Sequence, residues 1–176
     1  MELLDVYDSS GNKTGKVVER GRSNEEFADN EHIAVAIIYI ENDIGEFLVQ
    51  KTSEEKGGHY STTGGHINHG EEAINTVIRE VKEELGIDIS SDDIIDLGHI
   101  CVDFPVRFIF YLKKNIDLNN IDLQKDEVEQ VSYMSVEKIK ELLDNGLMHK
   151  AHYKVLEKVL DFKNEHRKRL SWVFFS

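Results

Sequence analysis

The sequence predicts an α/β protein in which a mixed β-sheet lies between two layers of helix. Three observations carry this expectation. Residues 32–40, HIAVAIIYI, are β-branched and almost continuously apolar, the pattern of a strand covered on both faces. Residues 71–85 switch to a helical period, with Ala73, Val77, Val81 and Leu85 every four residues and Ile74 and Ile78 beside them. Strand-like and helix-like stretches interleave without a regular βαβ repeat, which favours a mixed sheet with helices on both sides.

Taken in order, residues 1–30 read as an arm packed on the domain that follows at 31–176. In the arm, LLDVY and KVVE flank SSGNKTG, a turn-rich loop, which is the pattern of a hairpin; a polar stretch, RGRSNEEFADNEH, then leads into the domain. After the first core strand, ENDIG turns the chain into EFLVQKT at 46–52. YSTTGGHI reads as one short strand entering a glycine-rich turn. The helix of 71–85 carries Glu71 and Glu72 in its first turn, where the helix dipole favours acids, and Gly86 stops it. Strands are expected at 95–102, 106–113 and 128–134. Ser135 is the expected N-cap of VEKIKELLDN, which Gly146 ends. A last helix spans 150–169, with Val155, Leu156, Val159, Leu160 and Phe162 inward and Arg167, Lys168 and Arg169 at its end.

Composition narrows the function. With 40% hydrophobic and 31% charged residues among 176, the chain is that of a folded globular protein. The net charge of −13 argues against non-specific nucleic-acid binding. It also means that an anionic substrate needs a cation to reverse the field locally. The single cysteine, Cys101, allows no internal disulfide and, in an apolar strand, reads as a buried, inert thiol. No apolar run approaches the length of a membrane span, and MELLDVYDSS lacks the pattern of a secretion signal, so a cytoplasmic protein is expected.

The chemistry concentrates in GGHINHGEEAINTVIREVKEELGI, residues 64–87. At about 100° per residue, Glu80, Glu83 and Glu84 share one arc of the helix, at the edge of the apolar stripe. Carboxylates crowded there raise one another's pKa unless a hard divalent cation, Mg²⁺ or Mn²⁺, stands among them. Arg79 reads as pointing away from this arc and pairing with Glu71. Gly64 and Gly65 let backbone approach closely, and the Gly64 carbonyl is a candidate metal oxygen.

Gly65, Glu71, Arg79-Glu80-Val81, Glu83-Glu84 and Gly86-Ile87 stand at the spacing of the Nudix box, without a departure, so the segment resembles the Nudix hydrolase family. The resemblance implies a Nudix-type α/β/α sandwich and hydrolysis of a nucleoside diphosphate linked to another moiety X, with Mg²⁺ or Mn²⁺. It implies Glu80, Glu83 and Glu84 as metal-binding carboxylates with backbone oxygen from Gly64, and Gly65, Glu71, Arg79 and Gly86 as support. A further carboxylate from a later loop often serves as ligand or base in this family; Glu127 in DEVEQVSYMS is the candidate, with Glu129 and Glu80 as alternatives for the base. The expected partner is a small-molecule diphosphate, and the apolar tail SWVFFS leaves a homodimer open.

Two other readings compete. The arm, DVYDSSGNKTGKVVERG, and His32 are similar in layout to isopentenyl diphosphate isomerases, but those generally carry a cysteine near the glycine turn and a degenerate box. Here Thr63-Gly64-Gly65-His66 fills that turn and the box is complete. A catalytically silent nucleotide sensor would show losses among the box glutamates or the arginine, and none is lost. His59, His66 and His69 read as loop residues without zinc spacing. Arg107 reads as an edge-facing cation paired with an acid. Tyr60, Phe104, Phe108 and Phe110 read as core aromatics.

Overall fold

A computed structural model describes residues 2–21 and 27–174, with side chains through Lys168. Seven strands form one sheet in the order β5-β4-β3-β8-β7, with β6 paired to β3 and β9 to β4. These are β3 (Ala34–Glu41), β4 (Phe47–Thr52), β5 (Tyr60–Ser61), β6 (Gly64–His66), β7 (Ile95–Cys101), β8 (Val106–Lys113) and β9 (Val128–Met134). The β3–β8 pair is parallel, from Ala34 opposite Val106 to Glu41 opposite Lys113, and the other pairings are antiparallel, so the sheet is mixed.

Alternation along the two central strands builds two cores. Ala36, Ile38, Ile40, Phe110 and Leu112 face helix α1 (Ala73–Leu85), meeting Val77, Val81 and Leu85. Ile37, Tyr39, Ile109 and Tyr111 face α2 (Val136–Asp144) and α3 (His152–Phe174), meeting Ile139, Leu142, Val155 and Val159. Burial on both faces is why β3 and β8 are almost wholly apolar in sequence.

Several local expectations change. YSTTGGHI forms two strands, because the chain leaves β4 after Ser61 and crosses to β3 at Gly64. A Cβ at Gly64 would stand 2.3 Å from the Ala36 carbonyl oxygen, so only glycine pairs this closely. Helix α1 begins at Ala73, which leaves Glu71 and Glu72 before it rather than in its first turn. It stops, as expected, at Gly86 in the left-handed conformation, with φ 69°. Ser135 caps α2 by accepting the Lys138 N–H at 3.2 Å. Helix α3 runs on to Phe174, so Arg167–Arg169 precede its last turn; the side chains of SWVFFS lie outside the described residues.

Cys101 is exposed rather than buried, because it ends β7, an edge strand paired only with β8. Arg107 is the converse. Its strand is interior, so the side chain is 7% exposed, and Nη1 donates to the Val102 and Pro105 carbonyls. No acid lies within ion-pair distance of Arg107 among the described residues, and burial lowers its pKa.

The arm is a separate hairpin, β1 (Leu3–Tyr7) with β2 (Lys13–Glu19). It is sewn to the domain through backbone bonds between Tyr7 and His32, both 2.8 Å, and from His69 N–H to the Leu3 carbonyl at 2.8 Å. The buried Asp5 carboxylate accepts from His69 Nδ1 at 2.6 Å and from the Gly70 N–H at 3.0 Å, and pairs with Lys13 at 3.1 Å. Burial alone would raise the Asp5 pKa; these donors outweigh it and hold the carboxyl below its ordinary range. Residues 22–26 of the polar link between arm and domain lie outside the described residues. Among the described residues no helix is long and apolar enough to cross a membrane.

Candidate active site

The box residues meet where β6 enters the loop before α1. Arg79 is the hub. Its Nε and Nη2 grip Glu71 at 3.0 and 3.1 Å, and Nη2 also donates to the His66 carbonyl at 3.2 Å. Glu71 in turn accepts the Asn68 N–H at 3.2 Å, so this one acid ties loop to helix. Burial would raise the Glu71 pKa, but the paired guanidinium and the amide donor bring it below its ordinary value.

Arg79 does not turn away from the acidic arc, as the sequence reading had it. Its Nη1 donates to Glu80 at 2.8 Å and to Glu83 at 3.1 Å. The long side chain reaches both, one turn apart on the helix, while still holding Glu71. Glu80 lies tight against the glycine turn: a Cβ on Gly65 would stand 2.0 Å from Glu80 Oε1. Burial nevertheless raises the Glu80 pKa, against the pull of Arg79.

Glu84 is different. Burial pushes its carboxyl up to about 8, Gln50 opposes that with one hydrogen bond, and the charges of Glu80, Glu127 and Glu83 push it further. Gln50 Nε2 donates to Glu84 Oε2 at 2.9 Å, and Gln50 is itself held by Thr63 Oγ1 at 3.1 Å. Gln50 belongs to no motif, and its one signal in the sequence is a polar residue at the end of the apolar FLV stretch.

The loop that follows β8 brings in Glu127. Asp122 N–H bonds the Leu85 carbonyl at 3.1 Å, and Gln124 N–H bonds the Glu84 carbonyl at 3.1 Å, so the loop is anchored on the end of α1. Gly86 makes room, since a Cβ there would stand 2.9 Å from Asp122 Cβ. Glu127 then pairs with Lys56 at 2.9 Å. Glu129 points elsewhere, to Lys51 at 2.6 Å.

A cavity of about 480 Å³ collects these groups. Glu80, Glu83, Glu84 and Glu127 line it, with Gly64 and Gly65 on the β6 side. Glu129 and Cys101 do not line it. His66 does, half-buried, its pKa lowered by burial and by nearby Arg20. His69 serves Asp5 of the arm instead. The arm itself supplies Glu2 and Arg20 to the wall, a contribution with no sequence signal, since only tertiary docking brings residues 2 and 20 to a site centred on 64–87. Among the described residues, no three carboxylate, imidazole or thiolate groups converge on a common metal position; Arg79 Nη1 stands between Glu80 and Glu83.

A mixed sheet between helices, with the box at the mouth of such a cavity, defines a Nudix protein. The NUDIX domain pattern matches residues 30–159, and the chain belongs to this family, as a hydrolase acting on diphosphate bonds. It is 30% identical to an uncharacterized Nudix hydrolase of Listeria monocytogenes over 83% of this chain and 87% of that protein. It is 29% identical to the NAD-capped RNA hydrolase NudC of Pseudomonas putida, over 52% of this chain and 32% of that one. A crystal structure of a MutT protein from Methanosarcina mazei superimposes with a TM-score of 0.62 at 26% identity, covering 76% of this chain and 95% of that one.

Proposed function

We propose that this hydrolase is a pyrophosphohydrolase that requires Mg²⁺ or Mn²⁺ and cleaves a nucleoside diphosphate linked to a second moiety X, with water attacking phosphorus. The observation that carries this reading is Glu84, a half-buried carboxyl whose hydrogen-bond donor is the neutral Gln50, set in a cavity walled by four further acids, Glu2, Glu80, Glu83 and Glu127. Such a group gains most from a cation beside it.

The donor set suits a hard divalent ion. Glu80, Glu83, Glu84 and the Gly64 carbonyl offer oxygen only, which favours Mg²⁺ or Mn²⁺ over zinc. When bound, the ion neutralises the diphosphate and lowers the pKa of a water nucleophile. The chain's own residues do the rest. Arg79 keeps Glu71 and the His66 carbonyl in place, fixing the glycine turn against α1, and Glu80 and Glu83, which its Nη1 holds here, would be the carboxylates offered to the ion. Glu127 is the proposed general base. Each of Glu127 and Glu129 pairs with a lysine, but Glu127 lines the cavity from the anchored loop and Glu129 does not. Glu80 also lines the cavity and is the alternative base.

The Pseudomonas relative, a NAD-capped RNA hydrolase by name, supports a nucleotide diphosphate as substrate. The net charge of −13 favours a small molecule over nucleic acid. The exposed Cys101, outside the cavity, speaks against an isomerase that needs a cysteine there.

The test is diphosphate cleavage across nucleoside di- and triphosphates, nucleotide sugars, dinucleotides and prenyl diphosphates, with Mg²⁺, with Mn²⁺ and with chelator. Metal-dependent turnover of one class, lost in Glu84→Gln, is the expected result. Metal binding with no turnover anywhere on the panel would leave a sensor instead.

A further inference from the structure

The carboxylate cavity does not end at the arm. A second cavity of about 270 Å³ adjoins it, and Arg20 and His66 line both. Its wall has another character. Leu4 and Val18 come from the two strands of the hairpin, and Ile33 from the residue before β3. Phe27 and Phe104 close it, their rings 4.8 Å apart at 78°. Phe104 lies in the loop before β8 rather than in a strand, and is half-buried, so it is not the core aromatic its spacing suggested.

Two adjoining cavities of unlike chemistry fit a substrate of two unlike parts. A sugar ring would set most of its hydroxyls against Leu4, Val18, Ile33, Phe27 and Phe104, away from Glu19, Arg20 and His66, which is unfavourable. A planar base suits the wall better. It has two π-faces to lay on aromatic and aliphatic surface, and the edge-to-face packing of Phe27 and Phe104 stacks neither ring on the other. Its polar edge can turn to the rim, where Arg20 and His66 stand.

Arg20 occupies the border. Besides Arg79, which holds Glu71, Glu80 and Glu83, it is the basic residue lining the main cavity among the described residues. Its partner, Glu2 at 2.5 Å, forms an ion pair exposed at both ends, with side chains 49% and 55% accessible. An exposed pair contributes little, so a phosphate can take the guanidinium at small cost.

We propose that this second cavity is the subsite for the nucleobase of the substrate, and that Arg20 of the hairpin arm is the residue that grips the adjoining phosphate. The proposal rests on the nucleotide reading above and names where the base goes and what the arm is for. It makes the arm part of the binding site, and specificity a property of the arm and the 102–105 loop.

The test combines steady-state kinetics on the nucleotide turned over best with calorimetric titration of ADP, inorganic pyrophosphate and isopentenyl diphosphate into the full chain. Arg20→Gln should raise KM about tenfold, with kcat within about twofold, and weaken all three ligands. Phe104→Ala should weaken ADP about tenfold or more and leave pyrophosphate unchanged, with Phe104→Tyr restoring ADP. Thermal melts of each variant separate lost binding from lost fold. Unchanged ADP affinity in a folded Phe104→Ala protein would overturn the subsite, even with turnover intact and Glu84→Gln inactive. Isopentenyl diphosphate binding tighter than ADP, and weakened by Phe104→Ala, would overturn the nucleobase as its occupant. If no nucleotide is hydrolysed, the hydrolytic reading fails, and the ADP titration alone still decides the subsite.

Discussion

Glu71 and Glu84 stand at opposite ends of helix α1, and the protein treats their charges in opposite ways. Glu71 receives two guanidinium nitrogens of Arg79 and a backbone amide, and its carboxyl sits below the ordinary range. Glu84 is half-buried with one neutral amide for company, and its carboxyl is pushed up to about 8. The first site is complete in the folded chain. The second has no charged partner of opposite sign among the described residues, which is what the proposed metal ion would supply.

The largest expected effect breaks the functional end alone. Glu84→Gln keeps an acceptor for Gln50 and cannot ionise, so kcat should fall on the order of 10²-fold or more while the melting temperature of the metal-free protein stays level or rises. A large loss of stability in this variant would mean that Glu84 is structural after all. Arg79→Met breaks the other end. It strands Glu71, Glu80 and Glu83 together, and urea unfolding should show a loss of about 3 kcal/mol. Arg79→Lys should recover little of it, because an ammonium cannot match the fork held by Glu71.

The pH dependence sharpens the same contrast. Glu84 titrates near 8 in the fold and near 4.5 when unfolded. The folded protein therefore binds the extra proton between those values. Its stabilising contribution is fully present below about 4.5 and is lost as pH rises through 8, on the order of 5 kcal/mol in all. Glu71, with its lowered pKa, contributes with the opposite sign: its share is present above 4.5 and is lost as pH falls. In chelator, unfolding free energy measured at pH 5 and at pH 8 should fall for the wild type, and fall less for Glu84→Gln. Mg²⁺ should flatten the wild-type decline by supplying the missing countercharge.

The smallest effects separate Glu127 from Glu129. Glu127→Gln should lower kcat about tenfold or more, with little change in stability. Glu129→Gln, which removes a surface partner of Lys51, should change kcat by less than about twofold and stability by less than about 1 kcal/mol. Equal losses in the two would remove Glu127 from the role of base.

Legibility in the sequence followed periodicity and local spacing. The continuous apolar run of β3, the four-residue stripe of α1 and the Ser135 cap were readable because each depends on neighbours within a turn or a strand. Glu71 was legible as the partner of Arg79, and its place just before the helix follows from that pairing and from the Asn68 amide, which hold it in the loop. The reach of Arg79 back to Glu80 and Glu83 escaped notice because a long guanidinium is not confined to the direction its Cα gives it. Exposure of Cys101 and burial of Arg107 turned on which strand is an edge, and strand order is not written in any one strand.

By itself the sequence determined the family, the layered α/β architecture and the crowding of Glu80, Glu83 and Glu84, because those follow from side-chain period and fixed spacing. Only the tertiary structure decided that Gln50 meets Glu84, that the 121–127 loop carries Glu127 to the cavity, and that Arg20 of the arm stands at its rim. Those meetings join residues far apart in the chain, and long-range contacts are set by which apolar faces find each other, not by any local pattern.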